Sequence, residues 1–336
     1  MKVHRRRFLA CVLGPAGALA ALAPATSAAA DPGLTVPKRK LNRALHCQPQ
    51  VRKARAEPVL LLTGTGGSGT ETWSLGPNFQ ETLLRGGHSS CYLNFTHFTT
   101  GDIQTAAEYV VNGIRVLRRR ARRKIAVYGI SQGGLVPRWA LTFWPHLRRH
   151  VTDVVAVAGA QHGTTGAAQA AFLDAACRPT AGCPPAVWQQ AAGSHLLKAL
   201  NARADETPGR TAWTTVRTLT DDVVQPQLGP YPTSSLFGAR NLLIQRVCPG
   251  RTTSHIAAVY DSVSFAALID AVTHRGGARP SRFAKDVCAH PYGTGLDPAK
   301  TKPLIDASLP VILSRVVQVP RTKLEPPVRR YARIRR

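Results

Sequence analysis

The sequence predicts an α/β fold in which a mostly parallel central sheet is covered by helices on both faces. Three observations predict it. Short, continuously apolar runs alternate along the chain with segments whose apolar residues recur at the helical period. The first of these runs ends in a glycine-rich loop. A later one ends in a glycine-flanked serine followed at once by a helical pattern. Runs that are apolar at every position suit strands buried on both sides, as in a parallel sheet.

Taken in order, Val59-Leu60-Leu61-Leu62-Thr63 reads as the first buried strand and Cys91–Phe95 as a second. Apolar residues at 107, 110, 111, 114 and 117 predict a helix from Thr105 to Leu117. Thr105 followed by Glu108 reads as a capping box at its start. Ile125-Ala126-Val127-Tyr128 is the next strand and Leu135–Trp144 the next helix. Asp153–Val157, Thr214–Leu219 and Leu242–Val247 are further strands, and Ser262–Val272 and Leu304–Val317 further helices. Ligands on such sheets bind beyond the carboxyl ends of the strands, where the glycine-rich loop and the serine both fall.

The start of the chain is set apart from the fold. Lys2, Arg5, Arg6 and Arg7 precede an apolar stretch from Phe8 to Ala23, and small residues then lead to Asp31. This pattern fits a secretory signal over 1–30, cleaved after Ala28 or Ala30, and Arg5-Arg6-Arg7-Phe8-Leu9 fits twin-arginine export. An uncleaved anchor is the alternative, although Pro15 breaks the stretch. Residues 31–40, with Pro32, Gly33 and Pro37, read as a loose lead-in. Residues 41–322 are expected to form one α/β domain and 323–336 a basic tail.

Six cysteines remain beyond the signal: Cys47, Cys91, Cys177, Cys183, Cys248 and Cys288. An even number in an exported chain implies three disulfides, with the pairing left open, and a short loop closed by Cys177 and Cys183 is one option. A zinc site is the rival, but paired Cys/His knuckles are lacking, so no metal is expected. The formal charge of +26 becomes +22 without Lys2, Arg5, Arg6 and Arg7. Basic residues cluster at 118–124, 148–150 and 329–336. Nucleic acid is not the expected partner, since no aromatic-interleaved basic motif accompanies the charge. Peripheral attraction to anionic lipid surfaces is, and it should fade with salt.

Gly129-Ile130-Ser131-Gln132-Gly133 is a glycine-x-serine-x-glycine turn between a buried strand and a helix. That context suits a nucleophile held on a sharp, strained turn above the sheet, with flanking glycines admitting close backbone. The helix behind it points its positive end at developing negative charge. An acyl-transfer serine also needs a base and an acid that orients it, in the chain order serine, acid, histidine. Asp221 and Asp222 lie just past a predicted strand, and of eleven histidines His255, His274 and His290 follow them. Position alone does not choose within either set. The loop Thr63-Gly64-Thr65-Gly66-Gly67-Ser68-Gly69 offers backbone N–H groups for an oxyanion, and Gln132 follows the serine. The loop lacks the lysine-serine/threonine ending of a phosphate cradle.

From about Leu41 to Arg333 the chain resembles the Candida antarctica lipase B family of α/β-hydrolase serine lipases. The resemblance rests on Leu-Thr-Gly-Thr-Gly at 62–66, Glu108-Tyr109-Val110-Val111-Asn112 and Ser131-Gln132-Gly133-Gly134-Leu135-Val136, continuing through Trp139 to Pro145. Val187-Trp188-Gln189-Gln190, Thr220-Asp221, Val224-Gln225-Pro226-Gln227 and Tyr331-Ala332-Arg333 extend it. It implies an α/β-hydrolase fold and a secreted, cofactor-free lipase or esterase. Ser131 would be its nucleophile, Asp221 its acid and His255 its base. Thr65 and Gln132 fall on oxyanion positions, the threonine hydroxyl adding a side-chain donor. Cys47–Cys91 and Cys248–Cys288 match family disulfides. Cys177 and Cys183 are additional, in a segment beside the active-site entrance that would serve as a lid.

Two departures bear on specificity. Ile130 stands where the family has a tryptophan shaping the alcohol side, so a roomier alcohol pocket is expected. Ala160 replaces an acyl-side aspartate, with Gln161 and His162 following, and His162 is a candidate pocket donor. The expected partner is an ester or lipid, and the expected state a monomer. A carboxylesterase or polyester hydrolase with the same machinery is the alternative. A non-catalytic basic surface-binding protein is the reading from another class.

Overall fold

The protein is described by a computed structural model covering residues 30–203 and 205–333, with side chains at 168, 169, 172 and 175 omitted. The expected signal stretch, apart from Ala30, lies outside the described residues, as do the last three residues. No helix among the described residues is long and apolar enough to cross a membrane.

The strands are β1 (Leu45–Cys47), β2 (Val59–Leu62), β3 (Ser90–Leu93), β4 (Ile125–Ile130), β5 (Val151–Val157), β6 (Ala212–Arg217) and β7 (Arg240–Leu243). The helices are α1 (Lys38–Arg43), α2 (Phe79–Arg85), α3 (Ile103–Ala121), α4 (Gln132–Phe143), α5 (Gly166–Ala176), α6 (Pro185–Gln190), α7 (His195–Asn201), α8 (Ile244–Val247), α9 (Ser262–Thr273) and α10 (Pro298–Val316). One sheet runs β1-β3-β2-β4-β5-β6-β7, antiparallel only between β1 and β3.

The alternation of side chains along the central strands divides the core in two. Leu60, Leu62, Ile125, Val127 and Val154 point to one face, where Val110, Ile114 and Leu117 of α3 and Leu135 and Trp139 of α4 cover them. Val59, Leu61, Tyr128, Val155 and Val157 point to the other, under Phe79 and Leu83 of α2 and Val263 and Leu268 of α9. β2 and β4 are buried along their whole length, which is why their sequences are apolar without alternation. Disulfides join Cys47–Cys91, Cys177–Cys183 and Cys248–Cys288.

Three elements differ from expectation. α3 begins at Ile103, capped by Asp102, whose Oδ1 accepts from Gln104 N at 3.0 Å. Glu108 makes no capping box. Its buried carboxylate accepts from Thr35 N (2.6 Å), Thr35 Oγ1 (2.7 Å), Val36 N (2.8 Å) and the Arg329 guanidinium. A buried charge needs several donors, and the two ends of the chain supply more than a cap could. The apolar run 242–247 also breaks: β7 stops at Leu243 and Ile244–Val247 turns into α8. That turn aims Gln245 at Leu219 N (3.0 Å), Thr218 Oγ1 (2.8 Å) and Arg251 O (2.9 Å), tying the β6 loop to the loop carrying His255. Finally α10 starts at Pro298, under an Asp297 cap that accepts from Ala299 N at 2.9 Å, and continues through Pro303 and Pro310. Prolines usually end helices, so periodicity alone placed its start too late.

Residues 323–333 pack back over the helices. Glu325 accepts from His195 N (2.7 Å) and Leu196 N (2.8 Å) at the start of α7. Tyr331 takes the Trp139 indole N–H at 3.1 Å and lies against Phe143 and Trp144.

Candidate active site

β4 ends at Ile130, and Ser131 turns the chain into α4 with φ +57° and ψ −124°. A non-glycine residue in that conformation is strained, and the packing around it must hold it there. Ser131 N donates to Val157 O at 2.9 Å, pinning the turn to β5. The glycines are required by close approach. A Cβ on Gly129 would sit 2.2 Å from Gly133 O, and one on Gly133 would sit 2.6 Å from Leu62 O. Ser131 itself is 8% exposed.

The Thr63–Gly69 loop follows β2 and meets this turn. Gly66, at φ +77°, donates its N–H to Phe98 O at 2.7 Å. His97, Phe98 and Thr99 all hold left-handed backbone, at φ +53°, +49° and +60°, and Thr99 Oγ1 donates to Gly64 O at 2.5 Å. Three strained residues therefore brace the loop from outside, and nothing in their types foretells it. Thr65 Oγ1 donates to Gln132 Oε1 at 2.6 Å and accepts from Gln190 Nε2 at 2.8 Å. Gln132 Nε2 is buried without a partner.

After β6, the loop carrying Asp221 is held by Thr164, whose Oγ1 donates to Val223 O (2.9 Å) and accepts from Gln225 N (3.1 Å). Asp221 Oδ1 accepts from Val223 N at 2.9 Å and Val224 N at 2.7 Å. Both its oxygens lie 3.0 Å from His255 Nδ1. Asp222 takes another part: its Oδ1 accepts from the backbone N–H of His255 at 2.8 Å. Burial alone would lower the His255 pKa, but the charge and hydrogen bond of Asp221 and the charge of Asp222 outweigh it. The result lies above the ordinary 6.5. His274 pairs instead with Asp270 (3.1 Å) and His290 with Asp286 (3.4 Å).

Ser131 and His255 line two adjoining cavities of about 600 and 580 Å³, which share Thr65, Ile256 and Ile312 as well. Ile130, Val259, Leu304 and Val311 line the first, and Ala160, Val223, Val224, Leu309 and Leu313 the second. Ile130 and Ala160 thus stand on separate limbs of one site. His162 lines neither limb. Its Nε2 is 2.8 Å from Glu206 Oε1, because that carboxylate, also bonded to Phe237 N and beside buried Arg138, draws the imidazole away.

Sequence reasoning gave α10 no role, yet it lines both limbs. Arg315 fixes it to the glycine-rich loop, reaching Glu71 (2.6 and 2.9 Å) and Gly66 O (3.3 Å) and lying 4.4 Å from the Phe98 ring centroid. The Cys177–Cys183 segment lines neither cavity; it is paired with Thr322, where Cys183 N–Thr322 O is 3.0 Å and Thr322 N–Cys183 O is 2.8 Å. The spacing of these side chains gives no sign of α10's place, since helix packing sets it. Among the described residues no group of three or more His, Cys, Asp or Glu could hold a metal ion.

Over 97% of its length the chain is 32% identical to lipase B of Pseudozyma antarctica, covering 95% of that protein. The crystal structure of Aspergillus fumigatus lipase B is 27% identical, with a TM-score of 0.79 over 91% of this chain and 74% of that one. A Bacillus licheniformis lipase in its propeptide form shares the fold alone, at 16% identity and a TM-score of 0.50 over 70% and 53% of the two chains. No family model matches the chain. The sheet order, the helices on both faces and the structural neighbours make this an α/β-hydrolase fold. With 32% identity spread over nearly the whole of both sequences, the chain belongs to the lipase B family of carboxylic ester hydrolases.

Proposed function

We infer that the protein is an exported serine lipase or esterase working through Ser131, His255 and Asp221. The observation that carries this reading is a buried carboxylate 3.0 Å from the far nitrogen of an imidazole that shares a cavity with a serine on a strained turn. Ser131 Oγ attacks the ester carbonyl while His255 Nε2 takes its proton, and Asp221 holds Nδ1–H and stabilises the imidazolium. Collapse of the tetrahedral intermediate releases the alcohol with that proton and leaves an acyl-serine. Water then attacks by the same steps in reverse roles, freeing the acid and restoring Ser131.

The oxyanion falls to the Thr65 loop and the start of α4. Thr65 donates its hydroxyl hydrogen to Gln132 Oε1 in the resting site. Turning the Gln132 amide over would give its unpartnered nitrogen an acceptor in Thr65 Oγ1 and release that hydrogen toward the cavity. The apolar lining of the second limb suits an acyl chain, which favours lipid-like esters. Three disulfides suit an oxidising compartment.

Treatment of the oxidised protein with a fluorophosphonate, followed by mapping of the adduct, should place the label on Ser131, with turnover of p-nitrophenyl esters. A folded protein left unlabelled would overturn this reading and move the basic surface-binding alternative to the front. Ile130 in the first limb implies room for bulky secondary alcohols. Ile130→Trp is expected to lower kcat/KM for these by about tenfold or more, while primary alcohol esters change little, since filling a pocket is worth roughly 1–3 kcal/mol. Equal losses across the panel would show that Ile130 does not shape the alcohol side.

A further inference from the structure

At the amino ends of the central strands, away from the catalytic cavity, lies an open cleft of about 1450 Å³. The segments leading into β4, β5 and β6 bring Lys124, Arg148, Arg149 and Arg210 to it, and the turn after α9 adds Arg275. Four of these five cations are exposed and Arg148 is half-buried. Among the described residues, none of the five is in an ion pair. Nearby acids offset part of this charge: Asp205 acts on Arg148, while Asp153 and Glu57 are held toward their neutral forms. Burial pushes Asp153, in the cleft wall, up to about 7, and burial and the charge of Asp153 push Glu57, bonded to Thr152, up to about 8. The positive field reaches further. Burial and the charges of Arg118, Arg149, Arg115 and Lys124 together lower the pKa of His150.

We propose that this cleft is a second binding site, for a linear phosphate polymer, that anchors the protein while its catalytic cavity stays open. Guanidinium groups match phosphate oxygens in shape and charge. Among the described residues the four exposed cations have no carboxylate partner, while Arg148 is steadied by donating to Leu141 O (2.7 Å) and Thr142 O (3.1 Å). A chain can thread a cleft, whereas a flat bilayer touches only its rim. No aromatic side chain lines it, so nucleobases have nothing to stack on. β4 carries Lys124 before its first residue and Ser131 after its last. The seven steps from Lys124 to Ser131, at ~3.3 Å each, put the two sites about 23 Å apart, so both can be filled together.

The test uses the full chain and fluorescently labelled long-chain inorganic polyphosphate, read by anisotropy. Five neutralised phosphates give a log–log salt slope near −3.5, or about a 100-fold loss of affinity between about 50 and 200 mM salt. A slope near zero would overturn the proposal, whatever the variants do. Replacing Lys124, Arg149, Arg210 and Arg275 by glutamine should abolish tight binding and leave p-nitrophenyl ester turnover unchanged, which also reports the fold. Removing Lys38, Arg39, Lys40 and Arg43 from α1 takes away the same charge and should weaken binding only a fewfold. Equal weakening by both sets would reduce the effect to general attraction and overturn the site. Tighter binding of anionic phospholipid vesicles, or of a single-stranded oligonucleotide, lost with the cleft variant would assign it to a membrane or a nucleic acid instead.

Discussion

Replacing Ser131 by alanine is expected to lower kcat by about a millionfold, the size of loss that follows removal of the nucleophile in serine hydrolases. Alanine keeps the Cβ and so adds no strain to the left-handed turn at φ +57°. Ser131 N–H and C=O retain their bonds to Val157 O and to Gly134 and Leu135 N. The melting temperature should therefore stay near that of the parent, and only chemistry should be lost. Michaelis kinetics on a short-chain p-nitrophenyl ester, beside a thermal melt, measures both. Activity within tenfold of the parent would remove Ser131 from the role of nucleophile, and a large fall in melting temperature would make the loss one of folding.

The second large effect separates two adjacent carboxylates. Asp221→Asn should cost about 10,000-fold in kcat, because an amide in place of the carboxylate favours the wrong imidazole tautomer and cannot stabilise the cation. Asp222→Asn should cost far less, since its amide oxygen can still accept the His255 backbone N–H that Asp222 Oδ1 takes at 2.8 Å. A pH profile adds a second reading. His255 must be neutral to act as base, and its raised pKa makes kcat/KM fall as pH drops through a value above 6.5. The Asp222 charge contributes to that rise. Its removal should lower the His255 pKa and carry the acid limb of the profile to lower pH. An unmoved limb, or equal losses in the two variants, would contradict this division of labour.

Much of the site was legible because its local parts are encoded locally. A strand buried on both faces needs an unbroken apolar run, and a turn that brings Gly129 to within 2.2 Å of Gly133 O, measured from a Cβ it lacks, needs glycine. Those demands are written at 125–133 and 59–69 whatever the rest of the chain does. The proposed acid and base were not legible in the same way. Position left Asp221 with Asp222 and His255 with His274 and His290, and family resemblance had to choose among them. In the structure one aspartate meets the imidazole and its neighbour the backbone of the same histidine.

The readings that failed share a cause. Glu108 has the spacing of a capping residue, but the burial of a charge is answered by whatever donors surround it, here Thr35, Val36 and Arg329, distant in sequence. His162 has the position of a pocket donor, but Glu206 draws it elsewhere. The helix over the cavities was read correctly as a helix from 304 onward, and only its start, at Pro298 ahead of Pro303, was missed. The sequence by itself determined the strands, the serine turn and the residue types that chemistry requires, because these follow from local backbone geometry and from which side chains water excludes. Only the tertiary structure decided which charges meet, which helix walls the cavity and where unpaired cations gather, because those depend on distances between residues far apart along the chain.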